Sequence, residues 1–354
     1  MLSQPKKLGL LLRGSGGVLI LLLAACKTML DTLPSSPTSV VLSTGQPRSV
    51  IIDTDMAADD WMAILYLLQR PDVSIEAITV TGAGEAHCGP GTEYALGLVA
   101  LSGHASIPVA CGRETPLQGD HTFPTGWRQS VDNLYGLTLP EGANPVSDQN
   151  AVELLTSLIQ SAPEKMTLLT LGPLTNVAEA LQNTPTLPDN VEMIYIMGGA
   201  VDVPGNVGMG NSKAEWNIYV DPHAANVVLG SGAPITLVSL DATNHARLTT
   251  SFYERLEDSH TSPEATFVFD LLTENRGFIA SGGYYFWDPL AAAILADESL
   301  ATIEMREIVV VEEEGPESGY TQPVEGGSSV RVAVSADGAR FEQMFLDTLN
   351  GQSP

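Results

Sequence analysis

From Ser49 onward, short apolar runs alternate with longer stretches of helical periodicity. Runs such as Val50-Ile51-Ile52 and Met166-Thr167-Leu168-Leu169-Thr170-Leu171 carry no alternating polar face, as a strand buried on both sides requires. The pattern predicts strands near 49–54, 74–80, 107–110, 166–171, 192–197 and 234–240, and helices near 60–69, 91–103, 150–161, 173–182 and 222–230. Such alternation implies an α/β fold: a doubly wound, mostly parallel sheet with helices on both faces. Beyond Asp241 the chain reads as more helical, over 264–276 and 288–295, before strands at 306–311 and 329–334 and a last helix near 338–349. Glu312 to Gly327, acidic and bearing Gly and Pro, reads as a solvated surface loop. No repeat or linker interrupts 49–354, which is expected to form one domain.

The first 48 residues follow a different pattern. Lys6, Lys7 and Arg13 precede the apolar run Val18 to Ala25, which is too short for a permanent membrane span and reads as a secretion signal. Its ending, Leu23-Ala24-Ala25-Cys26, resembles a bacterial lipobox, which implies cleavage before Cys26 and lipidation of that cysteine. On this reading 1–25 is a lipoprotein signal peptide and 26–48, rich in Ser, Thr and Pro, is a flexible tether. The expected location is the bacterial cell envelope, periplasmic or on the outer surface, with membrane contact through the N-terminal lipid only. A net charge of −26, from 42 acidic and 16 basic residues, disfavours a nucleic-acid partner because a polyanion would be repelled. Cys88 and Cys111 either pair in an oxidising compartment or pack as small apolar residues, and the sequence does not choose.

Candidate chemistry collects where predicted strands end. Asp53, Asp55, Asp59 and Asp60 lie between a buried strand and the apolar helix that begins at Trp61. A helix-capping role would account for Asp59 and Asp60 but not for all four. Crowded carboxylates with oxygen-only donors point to a hard divalent cation, Ca²⁺ or Mg²⁺ rather than zinc. Three further segments carry polar residues at strand ends: Thr170-Leu171-Gly172-Pro173-Leu174-Thr175-Asn176; Met197-Gly198-Gly199 followed by Asn206, Asn211, Ala214-Glu215-Trp216-Asn217 and Asp221-Pro222; and Trp287-Asp288-Pro289. Ligands of doubly wound sheets bind at the carboxyl ends of the strands, where all of these fall.

In this order and spacing, those segments resemble the nucleoside hydrolase family, the calcium-dependent N-ribohydrolases related to inosine-uridine preferring enzymes, from roughly Val50 to the C-terminus. The resemblance implies that Ca²⁺ is held by the carboxylates of Asp55, Asp60 and Asp288 and the carbonyl of Leu171. It implies that Asp55 takes a proton from the attacking water and that Asp59 binds a ribose hydroxyl. Glu215 and Asn217 would grip the other hydroxyls, with Met197 beside the sugar and either Asn206 or Asn211 as the remaining asparagine. Cleaving an N-glycosidic bond builds positive charge on the ribose, which a carboxylate-lined pocket stabilises.

Two departures bear on specificity. Trp287 stands where inosine-uridine preferring members carry a histidine that protonates the leaving base, and the loop at 123–128 supplies a second indole, Trp127. The chain therefore looks more like the purine-preferring branch, in which a base is stacked between indoles. Glu85 stands near an asparagine of many relatives that touches ribose. The expected activity is hydrolysis of ribonucleosides, with purines preferred, to free base and ribose; the partner is a small-molecule ribonucleoside, and family members are often homo-oligomers. Capture of nucleosides by a lipid-anchored binding protein without turnover, and hydrolysis of another N-riboside, are the alternatives.

Overall fold

The computed structural model describes residues 45–352 apart from 105 and 209. The expected signal segment, Cys26 and the tether up to residue 44 lie outside the described residues. Strands β1 (Arg48–Thr54), β2 (Val73–Val80), β3 (Val109–Cys111), β4 (Met166–Thr170), β5 (Val191–Met197), β6 (Ile235–Val238), β7 (Ala301–Val310), β8 (Thr321–Pro323) and β9 (Ser328–Ala336) make one sheet. Its order is β3-β2-β1-β4-β5-β6-β9-β7-β8. All neighbours from β3 to β9 pair in parallel, and β7 runs antiparallel to both β9 and β8.

This arrangement follows from the burial each strand can supply. Every residue of β4 is buried, so helices must cover both of its faces. Along β1, Val50 and Ile52 join one core and Ile51 the other, as the two-residue repeat of a strand dictates. One core gathers the helices Ala58–Leu68, Trp287–Ala296 and Gly338–Leu349; the other gathers Ala151–Ser161, Thr175–Asn183 and Pro222–Leu229. By contrast β7 leaves much of one side exposed, which an antiparallel pair near the sheet edge tolerates.

The strands and longer helices read from the pattern are present, and several short elements join them that the pattern does not signal. Helices Thr125–Asp132, Trp216–Val220, Leu240–Thr243, Thr250–Ser259 and Arg276–Ser281 add to the reading, as does β8. Each buries few residues; Thr250–Ser259 buries only Phe252, Tyr253 and Leu256. The segment 123–128, expected as a loop, opens the helix Thr125–Asp132; its Pro, Gly and exposed Trp127 hide the helical repeat. The segment 312–327 is exposed over 312–317 and 322–326, as a solvated surface loop should be, but its middle is not. It contains β8 and buries Ser318 and Thr321 completely, because it packs behind the polar cleft described below. Cys88 and Cys111 form a disulfide with Cα atoms 5.6 Å apart, joining the start of the helix Cys88–Leu101 to the end of β3.

Candidate active site

The end of β1 is fixed before any site residue is placed. Leu171 donates its N–H to the Asp53 carbonyl at 2.8 Å, and Thr81 donates to the Thr54 carbonyl at 2.8 Å, so three strand ends are tied together. The Asp53 carboxylate turns away from the cleft and accepts from Thr79 Oγ1 at 2.6 Å and Asn176 Nδ2 at 2.8 Å. Burial pushes Asp53 up to about 7, against the two hydrogen bonds. Of the four clustered aspartates it is therefore the clasp between strand ends.

Immediately beyond, Met56 adopts φ 58°, a left-handed conformation uncommon for a residue with a side chain. Its N–H donates to Thr54 Oγ1 at 2.9 Å, which fixes the turn. The turn throws Asp55 into the cleft, where it is packed so closely that a Cβ on Gly84 would lie 2.0 Å from the Asp55 Cβ, and one on Gly172 2.6 Å from it. Asp55 Oδ2 accepts the Glu85 N–H at 3.1 Å. Asp59 and Asp60 occupy the first turn of the helix Ala58–Leu68, and Asp288 the first turn of Trp287–Ala296. Both helices thus bring their partly positive N-termini to the same place.

Carboxylate oxygens of Asp59, Asp60 and Asp288 lie within 4.8 Å of one another. Asp55 sits against Asp60 rather than inside that triad. Asp60 Oδ1 accepts from the Thr54 hydroxyl, whereas Asp60 Oδ2 and Asp288 Oδ1 are buried without a hydrogen-bond partner among the described residues. Burial first, then repulsion from Asp59, pushes Asp60 up to about 7. Burial, with repulsion from Asp55 and Glu215 among the lesser causes, takes Asp59 to about 7. Asp55 and Asp288 are raised well above the usual range for the same reasons. Orphaned, mutually repelling oxygens at a common point are the donor set that a hard cation satisfies, so the residues present fit a metal ion.

Leu171 also lines this cleft, and its carbonyl accepts from Asn217 Nδ2 at 2.9 Å. The same amide nitrogen reaches the Met197 carbonyl at 3.3 Å, so Asn217 bridges the ends of β4 and β5. Glu215 caps the helix Trp216–Val220 and accepts N–H groups from Asn217 at 2.9 Å, Ile218 at 3.2 Å and Gly199 at 3.0 Å. Of the two candidate asparagines, Asn206 lines the cleft and holds the Trp216 N–H at 3.1 Å, while Asn211 is buried behind it. Glu85 is on the wall, raised well above the usual glutamate range by burial and by Asp55 and Asp59.

Aromatic rings close the outer half. Trp127 is 45 % exposed and meets Trp216 edge-on at 5.3 Å; Phe123 stacks on Trp216 at 5.2 Å. Trp287 lines the cleft from its own helix and packs on Tyr284 and Tyr285. Trp216 and Phe123 were not singled out from the sequence. The i, i+4 spacing of Phe123 and Trp127, and the position of Trp216 between Glu215 and Asn217, were the available signals. One cleft collects both groups, Asp55, Asp59, Asp60, Glu85 and Asp288 with Phe123, Trp127, Trp216 and Trp287. It is polar and anionic at its floor and aromatic at its mouth, an arrangement suited to a ligand with a hydroxylated half and a flat, apolar half.

Comparison with known proteins agrees with this geometry. A model of the family described as inosine-uridine preferring nucleoside hydrolase matches residues 50–343. Uridine nucleosidase 1 of Arabidopsis thaliana is 34 % identical over 283 residues, covering 78 % of this chain and 82 % of that protein. The pyrimidine-specific ribonucleoside hydrolase RihA of Klebsiella pneumoniae is 35 % identical over 284 residues, covering 77 % and 86 %. The solved structure of a purine-preferring ribonucleoside hydrolase from Gardnerella vaginalis superposes with a TM-score of 0.77 at 28 % identity, covering 86 % of this chain and 99 % of that one. The chain therefore belongs to the inosine-uridine preferring nucleoside hydrolase family, metal-dependent hydrolases of the N-glycosidic bond of ribonucleosides.

Proposed function

We propose that this protein is a calcium-dependent ribonucleoside hydrolase with a preference for purines, tethered to the cell envelope through a lipid on Cys26. The observation that carries the reading is the stack of two unlike halves in one cleft: converging carboxylates with orphaned oxygens below, and Phe123, Trp127, Trp216 and Trp287 above.

Asp55, Asp60, Asp288 and the Leu171 carbonyl would hold Ca²⁺, with Asp59 close enough to join them or to bind a ribose hydroxyl. Bound there, a cation would lower the pKa of the attacking water and orient the sugar. Asp55, locked by the Glu85 amide and by the close approach of Gly84 and Gly172, takes the proton from that water. Glu215, Asn217 and Asn206 grip the remaining hydroxyls, and Met197 and Glu85 border the sugar. As the glycosidic bond breaks, the base leaves with the bonding electrons and takes a proton from solvent, the water oxygen bonds to the anomeric carbon, and the surrounding carboxylates stabilise the positive charge that grows on the ribose. Trp127 and Trp287 stack on the base; two-ring bases gain more from such a wall than one-ring bases, which supports the purine preference although the relatives named above include pyrimidine-specific enzymes.

The test is release of reducing sugar from inosine, adenosine, guanosine, uridine and cytidine, with and without a calcium chelator. Chelator-sensitive release with purines favoured is the expected result. Equal cleavage of pyrimidines would remove the specificity reading, and tight nucleoside binding without turnover would shift the protein to a capture role. For the envelope location, support comes from the lipobox-like segment and from the Cys88–Cys111 disulfide, a bond that persists in oxidising compartments. Labelled fatty acid incorporated by the native protein and lost in Cys26→Ala is expected; equal labelling of both would overturn the anchor.

A further inference from the structure

Behind the sugar-facing wall runs a strap, residues 312–321, exposed over 312–317 and buried at 318, 319 and 321. Glu312 is held by His223 Nδ1 at 3.0 Å and Asn226 Nδ2 at 2.7 Å, and Glu314 by His121 Nε2 at 3.0 Å. Past this fastening the strap turns inward. The fully buried Thr321 accepts the Ala200 N–H on its hydroxyl at 3.0 Å. The preceding amide, Gly199, donates to Glu215 Oε2 at 3.0 Å. Two successive amides of the turn after Met197 are thus caught from opposite sides, one by the cleft and one by the strap. The fit is tight enough that Gly199, at φ 80°, has no room for a Cβ, which would come within 2.8 Å of Thr321 Oγ1.

A second fastening lies close by. Asn211 Nδ2 donates to the Ser318 carbonyl at 2.7 Å, while Asn211 Oδ1 accepts the N–H groups of Lys213 at 3.1 Å and Ala214 at 3.0 Å. This ties the strap to the segment that leads into Glu215. Gly319 then lies so near the helix Trp216–Val220 that a Cβ on it would fall 2.7 Å from the Tyr219 Cα. One strap therefore touches the turn after Met197, the approach to Glu215 and the helix that carries Asn217. The turn is also held by Leu240, whose N–H donates to the Gly199 carbonyl at 2.9 Å, and the approach to Glu215 by its own hairpin, in which Asn206 donates to the Ala214 carbonyl at 3.0 Å; the strap supplies the partner for the buried Ala200 N–H, which these bonds leave open.

We infer that Thr321 and Asn211 are positioning residues for the sugar-binding wall, acting through the Gly199-Ala200 turn and Glu215. The inference rests on the reading that Glu215 and Asn217 hold the ribose. Thr321→Val keeps the side-chain volume but leaves the buried Ala200 N–H unpaired, so the turn and the Glu215 carboxylate shift together. The carboxylates of Asp55, Asp60 and Asp288 ride on other elements and are not moved.

The experiment uses the full-length protein and its Thr321→Val, Thr321→Ser and Asn211→Asp variants, with steady-state kinetics on inosine, thermal denaturation, and calorimetric titration with Ca²⁺ alone. Thr321→Val is expected to raise KM about tenfold with a smaller change in kcat and unchanged Ca²⁺ affinity, since sub-ångström misplacement of a substrate-holding group has costs of this order. Thr321→Ser restores the hydroxyl and the KM. Asn211→Asp, which keeps an acceptor for Lys213 and Ala214 but sets a buried carboxylate oxygen against the Ser318 carbonyl, moves KM in the same direction and carries the test if Thr321→Val does not fold. A wild-type KM in variants that merely melt earlier would overturn the positioning role, as would a fall in Ca²⁺ affinity alongside KM. A wild-type protein that neither binds nor cleaves ribonucleosides would instead overturn the proposed function, and that result needs no variant.

Discussion

At Asp55 the chain has spent unusual local geometry on one carboxylate. The left-handed Met56, the hydroxyl of Thr54 beneath it, and two glycines with no space for a side chain all serve to hold Asp55 in one place. If Asp55 removes the proton from water, Asp55→Asn retains the packing and the amide contact but removes the base. Its kcat is expected to drop by about 10²–10⁴-fold, with a much smaller change in Tm, measured side by side. Near-normal kcat in that variant would assign the base elsewhere. Most of the residues around Asp55 were legible because the spacing of carboxylates along a strand end is a local property. Asn211 against Asn206 was not, because the hairpin between Gly205 and Ala214 decides which asparagine faces the cleft, and only its hydrogen bonds to Ser318 and Ala214 remove Asn211 from the wall. Trp216 escaped notice for a related reason: an indole beside two polar site residues reads as core until its neighbours Phe123 and Trp127 are seen.

Among the elements, the short helix Thr125–Asp132 matters most to the cleft's mouth. Residues one turn apart clamp the loop that carries Glu85: Arg128 donates to the Gly82 carbonyl at 2.9 Å, and Asp132 accepts from the His87 N–H at 3.0 Å and pairs with its ring at 2.7 Å. The same loop ends at Cys88, whose disulfide to Cys111 spans 23 residues. Replacing both cysteines by serine is expected to lower stability by about 3 kcal/mol, from the entropy of the loop released in the unfolded chain. Thermal denaturation of the double variant, and of the native protein with and without reductant, measures it; coincident curves would show that the bond adds nothing. Long helices such as Ala58–Leu68 announce themselves by continuous burial, whereas a helix of eight residues that buries only Val131 leaves almost no periodic signal.

For the molecule as a whole, concentrated buried negative charge ties stability to pH. Asp53, Asp59 and Asp60 are each pushed up to about 7, chiefly by burial, and Asp55 and Asp288 well above the ordinary range. In the unfolded chain these carboxyls lose their protons near pH 4. Between about pH 4 and pH 7 the cation-free folded protein therefore binds more protons than the unfolded chain, and its stability falls as pH rises through that window. A bound cation favours the ionised carboxylates and flattens the dependence. In chelator, Tm is expected to be higher at pH 5 than at pH 8, and Ca²⁺ to raise Tm more at pH 8 than at pH 5. A cation-free Tm that climbs from pH 5 to pH 8 would contradict the electrostatic account.

What the sequence by itself determined was the sheet, its doubly wound cover and the row of strand ends where chemistry collects, because hydrophobic periodicity and the confinement of charge to the end of a buried run are written in local order. The disulfide, the aromatic quartet, the clasp role of Asp53 and the inward turn of the strap at Thr321 were decided only by tertiary structure. Each depends on which segments, far apart in the chain, the parallel sheet brings side by side, and no window of sequence carries that distance.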